Sequence, residues 1–183
     1  MNQNMFRLTA QSLPKRSVLA TSLIMSGLTV IGCASMPETP SAIKPPAGQV
    51  LAFDALASGV QIYECKAKSE TQYEWTFISP EAPLTDKSGA LIGKHYGGPT
   101  WEAKDGSTVV GEVKAREAAP SPSAIPWLLL SAKSNTGTGL FSNIKSIQRV
   151  DTTGGVAPAQ PCGAANGKTL VRVPYTAKYL YFR

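Results

Sequence analysis

The chain has 183 residues, 43% hydrophobic and 16% charged, with a formal net charge of +6. That length suits one ordinary domain with a sizeable core plus some appended sequence. Its Lys and Arg residues are scattered, with no run of five or more, which argues against nucleic-acid binding.

The amino end reads as an export signal. Residues 1–16 hold Arg7, Lys15 and Arg16 and no acid, the composition of an n-region that stays on the cytoplasmic side. Residues 18–31 carry no charge, yet a helix of that length falls short of the roughly 20 residues that span a bilayer. The run fits the apolar h-region of a signal peptide. It ends in Val30, Ile31, Gly32 and Cys33, which resembles the lipobox of bacterial lipoproteins. The reading is a signal over residues 1–32, removed by cleavage, with Cys33 acylated and left on the membrane. Each buried methylene contributes about 0.8 kcal/mol, so two or three acyl chains on Cys33 would hold the protein there. By resemblance to lipoproteins of double-membraned bacteria, Ala34 rather than Asp after the cysteine implies sorting to the outer membrane, facing the periplasm. Loss of Arg7, Lys15 and Arg16 lowers the formal charge from +6 to +3.

Residues 33–48 include Pro37, Pro40, Pro45 and Pro46 and show no apolar period. They read as a semi-rigid tether. The domain proper is expected over 49–183. Within it, β-branched and aromatic stretches are punctuated by Gly, Pro, Asp and Ser at short intervals. Strands are expected at 49–53, 60–66, 73–78, 91–96, 108–114, 127–132, 144–150, 169–173 and 178–182. Turn signals separate them: Ser88-Gly89, Gly97-Gly98-Pro99, Asp105-Gly106, Ser134-Asn135, Gly154-Gly155 and Asn166-Gly167. Residues 56–59 admit one helical turn and no more. The fold class is all-β, a sandwich or barrel of about 8–10 short strands, the two architectures left open. Two segments echo each other, 86–93 and 105–111, each running acid, turn, apolar pair, glycine. Two tight hairpins with similar turn chemistry explain that without a true repeat.

With Cys33 assigned to lipid, Cys65 and Cys162 remain. In an exported domain they are expected to form one disulfide. Chain-entropy arguments assign so long a loop roughly 4–5 kcal/mol, and measured values are more often about 2–4 kcal/mol. No Cys-x-x-Cys occurs and His95 is the sole histidine, so neither a metal site nor a redox dithiol has its expected spacing. No cofactor is expected.

The centre of the domain is dense in chemistry-bearing residues: His95, Tyr96, Trp101, Glu102, Asp105 and Ser107, followed by Trp127 and Arg149. His95 with Glu102 or Asp105 offers the elements of a general base and its carboxylate partner, so a hydrolase-like enzyme centred on His95 is one reading. No nucleophile accompanies it, because Ser107 in its Asp-Gly-Ser turn is better placed to bond backbone. The favoured reading is a non-catalytic module that binds an envelope glycan, peptide or protein. Trp101, with Tyr96 and Trp127, would offer aromatic faces, and His95, Glu102, Asp105 and Arg149 polar clamps. Trp75, Trp101 and Trp127 all sit in apolar strand patterns, and residues 125–130 read as a buried strand. An ion pair from Arg149 to Glu102 or Asp105 is expected to fix the fold.

Several of these motifs, taken in order, carry a family resemblance: 61–65, 95–102 with 105–107, 124–130, 147–155, Cys162, and Val173-Pro174-Tyr175 with Tyr179. Together they resemble an uncharacterised family catalogued as domain of unknown function 3455, from about Gly48 to the C-terminus. The resemblance implies a secreted or lipid-anchored, β-rich single domain of bacteria and fungi without an established activity. Dehydrogenase-like names used for some such proteins gain no support here. Residues 137–142 lack the third small residue and the strand–helix setting of a dinucleotide fingerprint.

Overall fold

In the computed structural model, residues 39–183 are described, and the expected signal, Cys33 and the first part of the tether lie outside them. Eight strands run β1 (Leu51–Ala67), β2 (Tyr73–Thr85), β3 (Leu91–Tyr96), β4 (Thr100–Ala103), β5 (Thr108–Glu117), β6 (Trp127–Thr136), β7 (Ser146–Gly154) and β8 (Leu170–Phe182). Each pairs antiparallel with the next, and β8 returns to pair with β1 from Leu51↔Phe182 to Glu64↔Leu170, which closes a barrel. Closure satisfies the hydrogen bonds that an open sheet leaves on its outer strands. Of the two architectures the sequence left open, the molecule adopts the barrel.

The nine expected strands become eight because two pairs fuse and one short strand is added. Residues 49–53 and 60–66 belong to a single β1, which crosses residues 56–59 as strand and not as a helical turn. Gly59 makes this possible: a Cβ there would lie 2.2 Å from the Glu81 carbonyl oxygen, so only glycine lets β1 and β2 approach so closely. Residues 169–173 and 178–182 likewise form one β8 across Pro174. That proline lies beyond the last β7 partner, Gly154↔Tyr175, so no ladder bond on that flank is lost. The added strand is β4, four residues between the Gly97-Gly98-Pro99 turn and the Asp105 turn.

Alternation sorts the side chains. Ala55, Ala57, Tyr63, Trp101, Val109, Leu130, Ile147, Tyr179 and Tyr181 are buried, and most belong to one continuous core inside the ring. Chain direction alternates, so the turns fall into two sets at opposite ends. The end bearing the β2–β3, β4–β5 and β6–β7 loops is plugged. There Phe141, fully buried, packs 5.1 Å from Tyr181 and 5.7 Å from Phe53, which itself stacks on Tyr181 at 4.6 Å. Asp105 and Ser107 hold the plug: the Leu140 N–H donates to Asp105 Oδ2 at 2.8 Å, and the Phe141 N–H to Ser107 Oγ at 3.0 Å. Asn135 Nδ2 donates to the Phe141 and Ile144 carbonyls. Residues 137–142 are thus the arm of this plug. Asp86 and Asp105 cap their turns alike, each accepting from the N–H and hydroxyl of the serine two residues on.

A second apolar cluster lies outside the ring. Ile43, in a 3-10 turn over Ser41–Ile43, is buried against Trp127 and Val150. Gln148 Nε2 donates to the Ile43 carbonyl, and Ser146 Oγ to Gln49 Oε1 at 2.6 Å. The last part of the expected tether is therefore a strap bound to the wall. Residues 125–130 are buried in large part, as expected, because the strap covers the face that the core does not. At the other end, Cys65 and Cys162 form the expected disulfide. It ties β1 to the β7–β8 loop, where Trp75 Nε1 also donates to the Gln160 carbonyl at 2.9 Å.

Candidate ligand-binding cavity

Opposite the plug the barrel is hollow. A cavity of about 560 Å³ opens at the end carrying the β3–β4 and β5–β6 loops, within the range of small-molecule sites. Its floor is aromatic and aliphatic: Trp101 from β4, Leu128 and Leu130 from β6, and Tyr179 from β8. Gln61 and Tyr63 of β1, Val113 of β5 and Arg149 of β7 form the walls. The rim carries Phe77, Ile78, Pro99, Arg116 and Pro126, and Phe77 is 48% exposed. The floor and wall residues come from most of the strands, at inward positions, while β2, the end of β5 and the flanking loops set the rim.

His95 of β3 stacks on Trp101 with ring centroids 4.4 Å apart and planes 7° from parallel, and Tyr179 meets both rings edge-on. Its Nδ1 lies 2.8 Å from the Thr100 carbonyl oxygen. A carbonyl only accepts, so Nδ1 carries the proton and Nε2 keeps its lone pair. Burial, reinforced by the positive charge of Arg149, drives the imidazole down to about 3, against a smaller upward pull from the Thr100 bond. His95 is neutral at any physiological pH.

Arg149 reaches across to the rim. Its Nε and Nη2 donate to the Pro126 carbonyl at 3.1 and 2.8 Å. It forms no ion pair among the described residues, so the expected pairing with Glu102 or Asp105 does not form. The reason is geometric, since those carboxylates lie elsewhere. Beside Arg149 the buried Tyr179 hydroxyl lies within hydrogen-bonding reach of the guanidinium and of Tyr175, and Tyr175 within reach of Gln61, whereas Trp101 Nε1 is buried without a partner among the described residues. Burial raises the pKa of Tyr175 and Tyr179, which keeps both hydroxyls protonated. The Tyr63 hydroxyl is satisfied, donating to the Gly155 carbonyl at 2.7 Å.

Of the five candidate site residues, the structure brings together His95, Trp101 and Arg149 in this cavity. Glu102 follows Trp101 on the same strand and so points outward. It accepts from the Tyr96 hydroxyl at 2.9 Å and pairs with Lys94 at 3.2 Å, and these contacts hold its carboxyl below the usual range. Asp105 sits in the β4–β5 turn at the plugged end, its carboxyl lowered by Ser107 and the Leu140 N–H. Tyr96 shares the outer face with Glu102, and Trp127 is buried beneath the strap. Only Trp101 of the three expected aromatic faces therefore reaches the cavity. Sequence reasoning did not select Gln61, Tyr63, Tyr179 or Arg116 for the site. The signal for the first three was period-two spacing, a buried Gln two residues before Tyr63 and the run Tyr175, Tyr179, Tyr181 on one face of β8.

A second hollow of about 550 Å³ lies over β2, β3 and β4 and includes Leu91, Lys94, Tyr96, Glu102 and Lys104. Lys94, Tyr96 and Glu102 there bond one another, and Glu81 pairs with Arg172. Among the described residues no group of three His, Cys, Asp or Glu is close enough to hold a metal ion. A protein family described as "Protein of unknown function (DUF3455)" matches residues 46–183. Searches of curated proteins and of solved structures return no match.

Proposed function

The chain belongs to the DUF3455 family of proteins of unknown function, and from that premise we propose that it is an exported, lipid-anchored envelope protein whose barrel binds a small molecule without transforming it. The observation that carries the binding role is the hollow end of the barrel, about 560 Å³, with the buried Trp101 Nε1 left without a hydrogen-bond partner among the described residues. Leaving a buried polar group unsatisfied costs about 1–3 kcal/mol, and a ligand that bonds it offsets that cost. The export role rests on the n-region, h-region and Cys33 lipobox of the sequence. Residence at the outer membrane, facing the periplasm, rests on Ala34.

A hydrolase centred on His95 is the weaker reading. A base whose conjugate acid is depressed to about 3 is almost unprotonated, and it is correspondingly feeble at drawing a proton from water or a hydroxyl. Its intended partners, Glu102 and Asp105, face the outside and the opposite end. Among the described residues no Ser, Thr, Cys, Asp or Glu lines the cavity to serve as nucleophile or second acid.

The test uses a neutral fluorescent arene, 1-aminoanthracene, titrated into the full chain. Saturable one-to-one uptake is expected, and Val113→Trp, which fills the wall of the cavity, should abolish it while circular dichroism stays unchanged. Uptake that is non-saturable, or equal in the filled variant, would sink the binding role.

A further inference from the structure

Resting on that reading, we propose that the ligand is a small amphipathic carboxylate, its apolar body in the barrel and its anionic end on Arg149. The polarity of the cavity is one-sided. Among the described residues two cations, Arg149 in the wall and Arg116 at the rim, face it, and no carboxylate does. A guanidinium has five N–H donors. Arg149 places Nε and Nη2 on the Pro126 carbonyl, and that contact fixes the plane of the fork. Its other donors face the buried Tyr179 hydroxyl, which lies within hydrogen-bonding reach of the guanidinium, and the cavity beyond it. Fixed in this way, the group is preorganised for a carboxylate and loses little side-chain entropy on binding it.

The body of the ligand is set by the floor. Trp101, Leu128 and Leu130 are almost wholly buried and apolar, and the rim adds the exposed Phe77 and Ile78. A sugar, with hydroxyls all round, would leave many of them unbonded against such a surface, at a cost for each. An alkyl chain or a flat arene with one terminal carboxylate matches floor and fork together. It also places the charge toward the rim, where Arg116 adds long-range attraction during approach.

The experiment titrates the full chain, its disulfide intact, with decanoate, decanol and decyltrimethylammonium, following tryptophan emission, and repeats the series with 2-naphthoate. Decanoate is expected to bind at least tenfold more tightly than decanol, and decyltrimethylammonium more weakly than either. Arg149→Met should abolish the preference for decanoate over decanol. Comparison of decanoate with 2-naphthoate reports whether the body is aliphatic or aromatic, and the proposal requires that at least one bind. Equal affinity for decanoate and decanol in the unaltered chain would overturn the carboxylate assignment while leaving a binding cavity in place. Uptake of none of these probes, or of 1-aminoanthracene, would overturn both. Because the charge comparison is made on the unaltered chain, a misfolded Arg149→Met protein does not rescue the proposal.

Discussion

His95 shows how a residue that reads as catalytic from its type becomes structural from its surroundings. Held neutral in the core, it binds no proton until about pH 3, whereas the same imidazole in the unfolded chain takes one near 6.5. The unfolded state therefore binds more protons throughout that window, so stability falls as pH drops from about 6.5 toward 3. The slope from this one group is about 1.4 kcal/mol per pH unit. His95→Gln should flatten the acid limb of a urea-midpoint against pH curve by that amount, and an unchanged limb would refute the burial argument. Asp86, Glu102 and Asp105, lowered by their hydrogen bonds, contribute with the same sign, so some acid sensitivity persists in the variant. In the sequence, Trp101 and Glu102 read as members of one site, because no strand was expected over residues 100–103 and the alternation that turns one inward and the other outward therefore went unread. What no alternation could show is that Arg149 would spend its donors on the Pro126 carbonyl, because that contact spans 23 residues and depends on where a loop turns.

At the scale of elements, the two ends of the barrel are differentiated by one loop. The β6–β7 connection bends Phe141 into the ring, and Gly139 permits the bend: at φ 151°, a Cβ there would lie 2.2 Å from Asp105 Oδ2. Phe141→Ala should cost about 3–5 kcal/mol, the usual range for emptying a buried phenyl site. Chemical denaturation should show that loss, and a change under 1 kcal/mol would mean that Phe53 and Tyr181 close the gap unaided. Strand positions were largely legible, since β3 starts and ends where periodicity placed it and β5, β6 and β7 begin within two residues of expectation. The misreadings have a common cause. Gly59 and Pro174 are breakers in a local rule, and each is tolerated here because of a neighbouring strand that no local window contains. The burial of Trp127 was expected, but its place on the outer wall, beneath Ile43 84 positions earlier, was hidden for the same reason.

For the whole molecule, the expected lipid on Cys33 is the strongest claim in the sequence and lies outside the described residues. Cys33→Ser should leave the full-length precursor with its signal uncleaved, and mass spectrometry of the native chain should find a diacylglyceryl-modified amino-terminal cysteine. An unmodified native cysteine would refute the anchor. Sandwich against barrel was undecidable locally because both satisfy the same alternation. The choice is made by β1 meeting β8, a contact between the two extremes of the domain.

That closure also has a consequence in time. The chain is made from its amino end, so β1 exists long before its second partner, and the ring stays open until residue 182 is available. Pairings at such sequence separation form slowly. During the wait β1 and the latest completed strand present unpaired edges on which copies can join. The disulfide belongs to the same late interval, since Cys162 also appears near the end. A barrel whose last strand seals its first is therefore open to self-association for most of its own assembly, most of all where nascent copies are crowded.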